Sequence, residues 1–215
     1  MAVNIVQAFD EYRAERVAGF LAESLQPGAR VLDCGCGKMR VGELISEELD
    51  IEVIGVDLIS LSQTGMDMCL GDGSRLPFAD NSFDSVYAVS VLHHTKKSLR
   101  VLKECVRVAR DQLLVVEDVY RNGFELALLK LFDWLGNRPF AAEMSLPFTF
   151  RSEREWSAQF EKLGLKIAKV VPVRPVLWRP TRHRMFILES NGHPEQFRVK
   201  PQSSEARLEG LGARR

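Results

Sequence analysis

The stretch VLDCGCGKMR, residues 31–40, constrains this chain more than any other. Two apolar residues, Val31 and Leu32, end in an acid, Asp33. Gly35 and Gly37 come next, set among the small residues Cys34 and Cys36, and a helical pattern begins near Lys38. A strand, a glycine turn and a helix in this order let an α/β protein bring bare backbone against a nucleotide-like ligand. The turn needs glycine because a Cβ would block both the bend and the contact. A short Gly-x-Gly is weak evidence alone, so its meaning depends on the downstream sequence.

Downstream of the turn, strands alternate with helices. IEVIGVDL, residues 51–58, is a nearly continuous apolar run of the kind that a parallel strand buried on both faces requires. A short strand is predicted over 67–70, then strands over 84–92 and 112–119, with helices over 38–49 and 96–109. An amphipathic helix over 4–25 precedes the first strand, and its Phe9 and Tyr12 are placed to cover a ligand. Ser152 and Glu155 form a capping box that opens a further helix. Two last strands are predicted over 165–173 and 183–189. This pattern predicts an α/β fold: a Rossmann-like, doubly wound, mostly parallel sheet of about seven strands with helices on both faces. One domain spans 1–190, with an apolar insertion at 122–150 and a polar tail at 191–215 read as mobile.

Composition narrows the setting. Lys+Arg and Asp+Glu are both 29, which gives a polynucleotide no global attraction. The four cysteines, Cys34, Cys36, Cys69 and Cys105, form no Cys-x-x-Cys pair and are read as reduced thiols in a reducing, cytoplasmic compartment. No segment reaches the roughly 18 apolar residues of a membrane span.

Three features recur in the order a nucleoside with a charged tail needs. The Gly35/Gly37 turn offers backbone to the tail, Asp57 can accept two ribose hydroxyls, and Asp72 in GDGSRLPF can meet an adenine amine. With VIGVD, SVLHHT and LKECVRVAR–LLVVED, the ordered set resembles class I S-adenosylmethionine-dependent methyltransferases, particularly the type-11 methyltransferase domain, over residues 28–120. The resemblance implies S-adenosyl-L-methionine as cofactor. It implies that Asp33, Gly35, Cys36 and Gly37 meet the methionine end, that Asp57 with Leu58 holds the ribose, and that Asp72 with Gly73 holds the adenine. Ser90 and Val91 would line the methyl-transfer mouth.

Three departures stand out. Met39 occupies the slot of the third loop glycine. Only fourteen residues separate Asp57 from Asp72, which leaves room for a turn near 60–64 instead of a full helix. No Asn/Asp-Pro-Pro-Tyr/Phe motif comes after strand four, against the amino-methylating enzymes that use it. His94 is the candidate general base if the acceptor is an oxygen, and Asp118 is a second candidate. A metal pair at His93-His94 is not expected, because adjacent histidines diverge on regular elements and no carboxylate partner is evident. The expected partner is a small apolar, lipid-like or aromatic acceptor, with no nucleic acid. The insertion and the Arg- and Trp178-containing loop 174–184 leave peripheral membrane contact and a homodimer open. The other functional class is a noncatalytic scaffold that keeps the fold.

Overall fold

The computed structural model describes residues 5–62, 64–137, 147–174 and 181–190. Seven strands form one sheet: β1 (Arg30–Cys34), β2 (Glu52–Asp57), β3 (Met68–Leu70), β4 (Phe83–Val89), β5 (Ala109–Val119), β6 (Leu165–Val173) and β7 (Arg182–Ser190). Their order is β3-β2-β1-β4-β5-β7-β6. The first five run parallel, and β7 is antiparallel to both β5 and β6. The predicted sheet is therefore observed. The carboxyl ends of the parallel strands share one edge, where the strand order reverses beside β1 and ligands bind in open α/β sheets.

Alternation along β1 sends its side chains to opposite faces. Leu32 and Cys34 join Val86, Leu102, Trp156 and Phe160 on the side covered by α3 (Ser98–Val108) and α5 (Glu153–Lys162). Val31 joins Val17, Leu21, Ile45 and Tyr87 on the side covered by α1 (Ile5–Ala22) and α2 (Arg40–Leu49). The two helices of that second face are tied across their surface, because Arg40 Nε donates to both carboxylate oxygens of Glu11 at 2.8 and 3.0 Å. The capping box of α5 is present: Glu155 N donates to Ser152 Oγ at 3.3 Å, and Ser152 N to Glu155 Oε2 at 2.7 Å. Asp84 plays a structural part at the other end of the sheet. It accepts from Arg30 N at 2.8 Å and pairs with Arg110.

Between β2 and β3 the described residues hold no helix, as the short spacing predicts. The insertion does form a helix, α4 (Gly123–Asn137), of which only Leu129 is buried. No helix among the described residues is long and apolar enough to cross a membrane. The tail from 191, the end of the insertion at 138–146 and most of the loop holding Trp178 lie outside the described residues.

Met39 answers the question its position raises. It takes a left-handed backbone, φ 63°, and is fully buried. Its side chain turns under the sheet into the space left by Gly55, where an added Cβ would lie 2.2 Å from the Met39 sulfur. The loop thus keeps the conformation that favours glycine, at a strain of order 1 kcal/mol. Packing on Gly55 holds it there.

Candidate active site

A cavity of about 1200 Å³ opens along the carboxyl edge of the sheet. Nine of the eleven sequence-predicted site residues line it: Gly35, Gly37, Asp57, Leu58, Asp72, Gly73, Ser90, Val91 and His94. Asp33 and Cys36 do not. Asp33 is 3% exposed, and its carboxylate accepts from Tyr87 Oη at 2.9 Å on the α1/α2 face of the sheet. It sits beneath the turn because alternation along β1 turns it away from Cys34. Burial pushes the Asp33 carboxyl up to about 7, the Tyr87 hydrogen bond opposes this, and the charge of Asp57 adds to it. Cys36 packs against Gly55, and burial pushes its thiol well above the usual range. All four cysteines are free.

The glycine turn is shaped by neighbours from other strands. Gly35 has φ +86°, and a Cβ there would come within 1.9 Å of Val91 Cγ2. Gly37, φ +50°, has open space where a Cβ would stand, so backbone itself faces the cavity. Its N–H donates to Asp57 Oδ2 at 2.8 Å. Asp57 therefore braces the loop while still presenting a carboxylate to the cavity.

At the other margin Asp72 is 42% exposed. It accepts from Ser74 N and Oγ at 3.0 and 2.6 Å and from Lys97 Nζ at 2.9 Å. These contacts, the Ser74 hydrogen bond first, hold its carboxyl well below the ordinary range. From above, α1 contributes Phe9, Asp10 and Arg13, and Arg13 Nη2 donates to Ser90 Oγ at 3.3 Å. Phe9 covers the cavity as expected, whereas Tyr12 is not in its wall.

The far end is walled by Leu129, Phe132, Leu135 and Phe150, with a polar group among them. A short 3-10 turn, Leu92–His94, carries the two histidines. They do not diverge. Their ring centroids are 4.1 Å apart, tilted by 47°, and both Nε2 atoms lie 3.5 Å from Asp133 Oδ1 on α4. What the two rings share is the Asp133 carboxylate, which both face from the turn. His93 is 1% exposed, its Nδ1 lies 2.6 Å from Glu117 Oε2, and its ring stacks on Phe150 at 4.4 Å. Burial alone would lower its pKa, but the carboxylates of Glu117 and Asp133 outweigh that and bring it to about 10. His94 goes the other way, to about 4, through burial and the charge of His93. Asp118 lines the cavity and pairs with His183 Nε2 at 2.8 Å. Burial would raise the Asp118 carboxyl, yet His183 holds it well below the ordinary range.

Sequence reasoning missed Asp133, His183 and the Glu117–His93 pair. A signal for the first was present, since Asp133 is the single acid in the apolar run ALLKLFDWLGN. Nothing in spacing pointed to the others.

The residues present suit the implied cofactor. Open backbone at Gly37, a carboxylate at Asp57 and a volume beyond the roughly 300–1,000 Å³ of ordinary ligand pockets leave room for a nucleoside and an acceptor together. Comparisons with known proteins point the same way. Residues 32–115 match the family described as "Methyltransferase domain". A Bos taurus protein described as "Probable tRNA methyltransferase 9B" is 31% identical over 101 residues, 43% of this chain and 21% of that one. The chain thus spans about a fifth of that relative's length. Demethylmenaquinone methyltransferase of Bacillus cereus is 24% identical over 200 residues, 79% of this chain and 84% of that one. Among solved structures, geranyl diphosphate methyltransferase in complex with S-adenosylmethionine superposes with a TM-score of 0.62 at 14% identity, over 81% of this chain and 84% of that one. By its sheet order, by residues 32–115 and by the glycine turn that opens its cavity, the chain is similar to the class I S-adenosylmethionine-dependent methyltransferases.

Proposed function

We propose that this chain transfers a methyl group from S-adenosyl-L-methionine to a small, largely apolar acceptor that enters beneath α4. The observation that carries the reading is the continuity of one cavity from Gly35, Asp57 and Asp72 to the apolar wall of Leu129, Phe132, Leu135 and Phe150. When bound, the cofactor supplies a methyl carbon already attached to a positively charged sulfur, a leaving group that needs no further activation. The protein's part is to align and to exclude water. Gly35 and Gly37 present backbone to the cofactor's charged end, Asp57 accepts from the ribose, and Asp72 with Gly73 borders the adenine. Ser90 and Val91 border the mouth, and His94 meets an acceptor oxygen there. The quinone and isoprenoid words in the names of two similar proteins agree with an apolar acceptor.

A scaffold without catalysis has one observation in its favour: Lys97 already occupies Asp72. Calorimetry with S-adenosylmethionine decides between the two. Binding, then label transfer from methyl-tritiated cofactor to quinol, phenol or sterol acceptors, is the expected result. No binding at millimolar cofactor would leave the scaffold reading. Exposed Phe124, Leu131 and Trp134 on α4 suit delivery of an apolar acceptor from a membrane. Liposome flotation tests this: the intact chain should partition, and a chain lacking 122–150 should not.

A further inference from the structure

The polar group at the acceptor end contains three buried atoms without a hydrogen-bond partner: His93 Nε2, His94 Nδ1 and Asp133 Oδ2. Unpaired buried polar atoms are rare and costly, and His93 Nε2 with Asp133 Oδ2 calls for an occupant, while His94 faces the same acid through Nε2. One potential ligand atom from each of His93, His94 and Asp133 lies within 4.8 Å of the others. The two Nε2···Oδ1 separations of 3.5 Å are long for a hydrogen bond. They are close to the edge of about 3.4 Å that a tetrahedron with metal–ligand bonds of about 2.0–2.1 Å requires.

The surroundings are built like the outer shell of a metal centre. A ligating histidine commonly gives its other ring nitrogen to a carboxylate, which fixes its orientation. His93 Nδ1 is held in this way by Glu117 Oε2 at 2.6 Å, and Glu117 Oε1 in turn accepts from Leu92 N at 2.7 Å. A ligating carboxylate is itself hydrogen-bonded. Asp133 Oδ1 accepts from Asn137 Nδ2 at 2.9 Å, one helical turn away, which leaves Oδ2 unengaged. The turn carrying both histidines is pinned by Thr149, whose N and Oγ1 donate to His93 O at 3.0 and 2.9 Å. Three carboxylates, Glu117, Asp133 and Asp118, act on His93.

We infer that His93, His94 and Asp133 bind one divalent first-row transition-metal ion of the zinc type, with a coordination position open to the acceptor end of the cavity. Two imidazoles and one carboxylate are a donor set suited to such an ion, and three protein ligands leave a place for an outside oxygen. The presence of the site is independent of the methyl-transfer reading. Only its use, to hold an acceptor oxygen beside Val91, rests on that reading. With the ion in place His94 serves as a ligand, and it is not a proton acceptor.

The experiment is titration of the purified full chain, stripped with chelator, with zinc(II) by calorimetry and with cobalt(II) by visible absorption. Cofactor binding is measured on the same samples. One equivalent of metal and ligand-field bands of low-coordinate cobalt are expected, without the near-ultraviolet charge-transfer band of a thiolate ligand. His94→Gln and Asp133→Asn should each weaken metal binding by at least about tenfold while S-adenosylmethionine still binds. Absence of metal binding in a sample that binds cofactor overturns the inference and leaves a buried imidazolium between two carboxylates. A thiolate band, or variants that bind metal as the parent does, overturns it equally. Loss of cofactor binding with metal binding intact would instead count against the methyl-transfer reading.

Discussion

At the β1–β2 end of the cavity, the wall comes from loops that directly succeed parallel strands, Gly35 and Gly37 after β1 and Asp57 with Leu58 closing β2. At the α4 end the wall is assembled from a 3-10 turn after β4, Asp118 inside β5, a helix inserted after β5 and Phe150 before α5. The first end is made of backbone and braced carboxylates, with the Asp33, Cys36 and Met39 side chains turned under the sheet. The second is made of packed rings and buried ionisable groups drawn from widely separated parts of the chain between Val91 and Phe150. The difference teaches which end follows from the sheet itself. Sheet geometry dictates the end proposed for the nucleoside, whereas the end proposed for the acceptor also depends on one inserted helix.

The largest effect is expected for Gly35→Ala. Its Cβ would meet Val91 Cγ2 at 1.9 Å on a backbone at φ +86°, so the turn must move. Cofactor affinity should fall by roughly 100-fold or more in calorimetry. An unchanged affinity would mean that the turn does not contact the ligand.

At the opposite end His94→Ala removes a ligand of the proposed ion and should lower kcat by on the order of 100-fold with cofactor affinity intact. Near-full turnover at saturating acceptor would break the functional contrast between the ends. Asp57→Ala removes the acceptor of the Gly37 N–H at 2.8 Å and the proposed ribose contact. Charged hydrogen bonds contribute about 1.5–3 kcal/mol each, so cofactor affinity should drop about 10- to 100-fold.

Met39→Gly sharpens the comparison, because it restores the third glycine without touching the cavity. Losing a buried methionine costs about 2–5 kcal/mol, offset in part by about 1 kcal/mol of relieved left-handed strain. Lower stability in denaturant with cofactor affinity within about twofold of the parent is the expected pair of results. A loss of affinity comparable to Gly35→Ala would show that Met39 shapes the loop's ligand contacts.

A pH-dependent test concerns Asp33. Its carboxyl is raised from 3.8 unfolded to about 7 folded, so the folded chain holds an extra proton between those values. Stability contributed by this group is greatest below about 4, declines as pH rises toward 7, and is constant above, with a slope of at most about 1.4 kcal/mol per pH unit. Relative to the parent, Asp33→Asn should therefore gain stability from pH 4 to 7 and level off beyond. A flat difference would mean that Asp33 ionises normally.

The same division separates what could be read in advance from what could not. Gly35, Gly37, Asp57 and Asp72 were legible because strand periodicity and short spacings put them on one edge with no further information. Asp33 misled for a local reason. It lies in the right motif, but the two-residue alternation of β1 turns its carboxylate to Tyr87 beneath the sheet. His93 and His94 were visible as residues but not as a pair, because the partner that brings them together, Asp133, lies far along the chain on an inserted helix.

The alternating strands and helices, the glycine turn and the ordered acids are local consequences of periodicity and backbone sterics, and sequence alone determines them. The depth of the acceptor end, the burial of His93 between Glu117 and Asp133 and the retreat of Met39 under Gly55 were decided only by tertiary structure. Each depends on which distant atoms replace water around a side chain, and no local pattern encodes that.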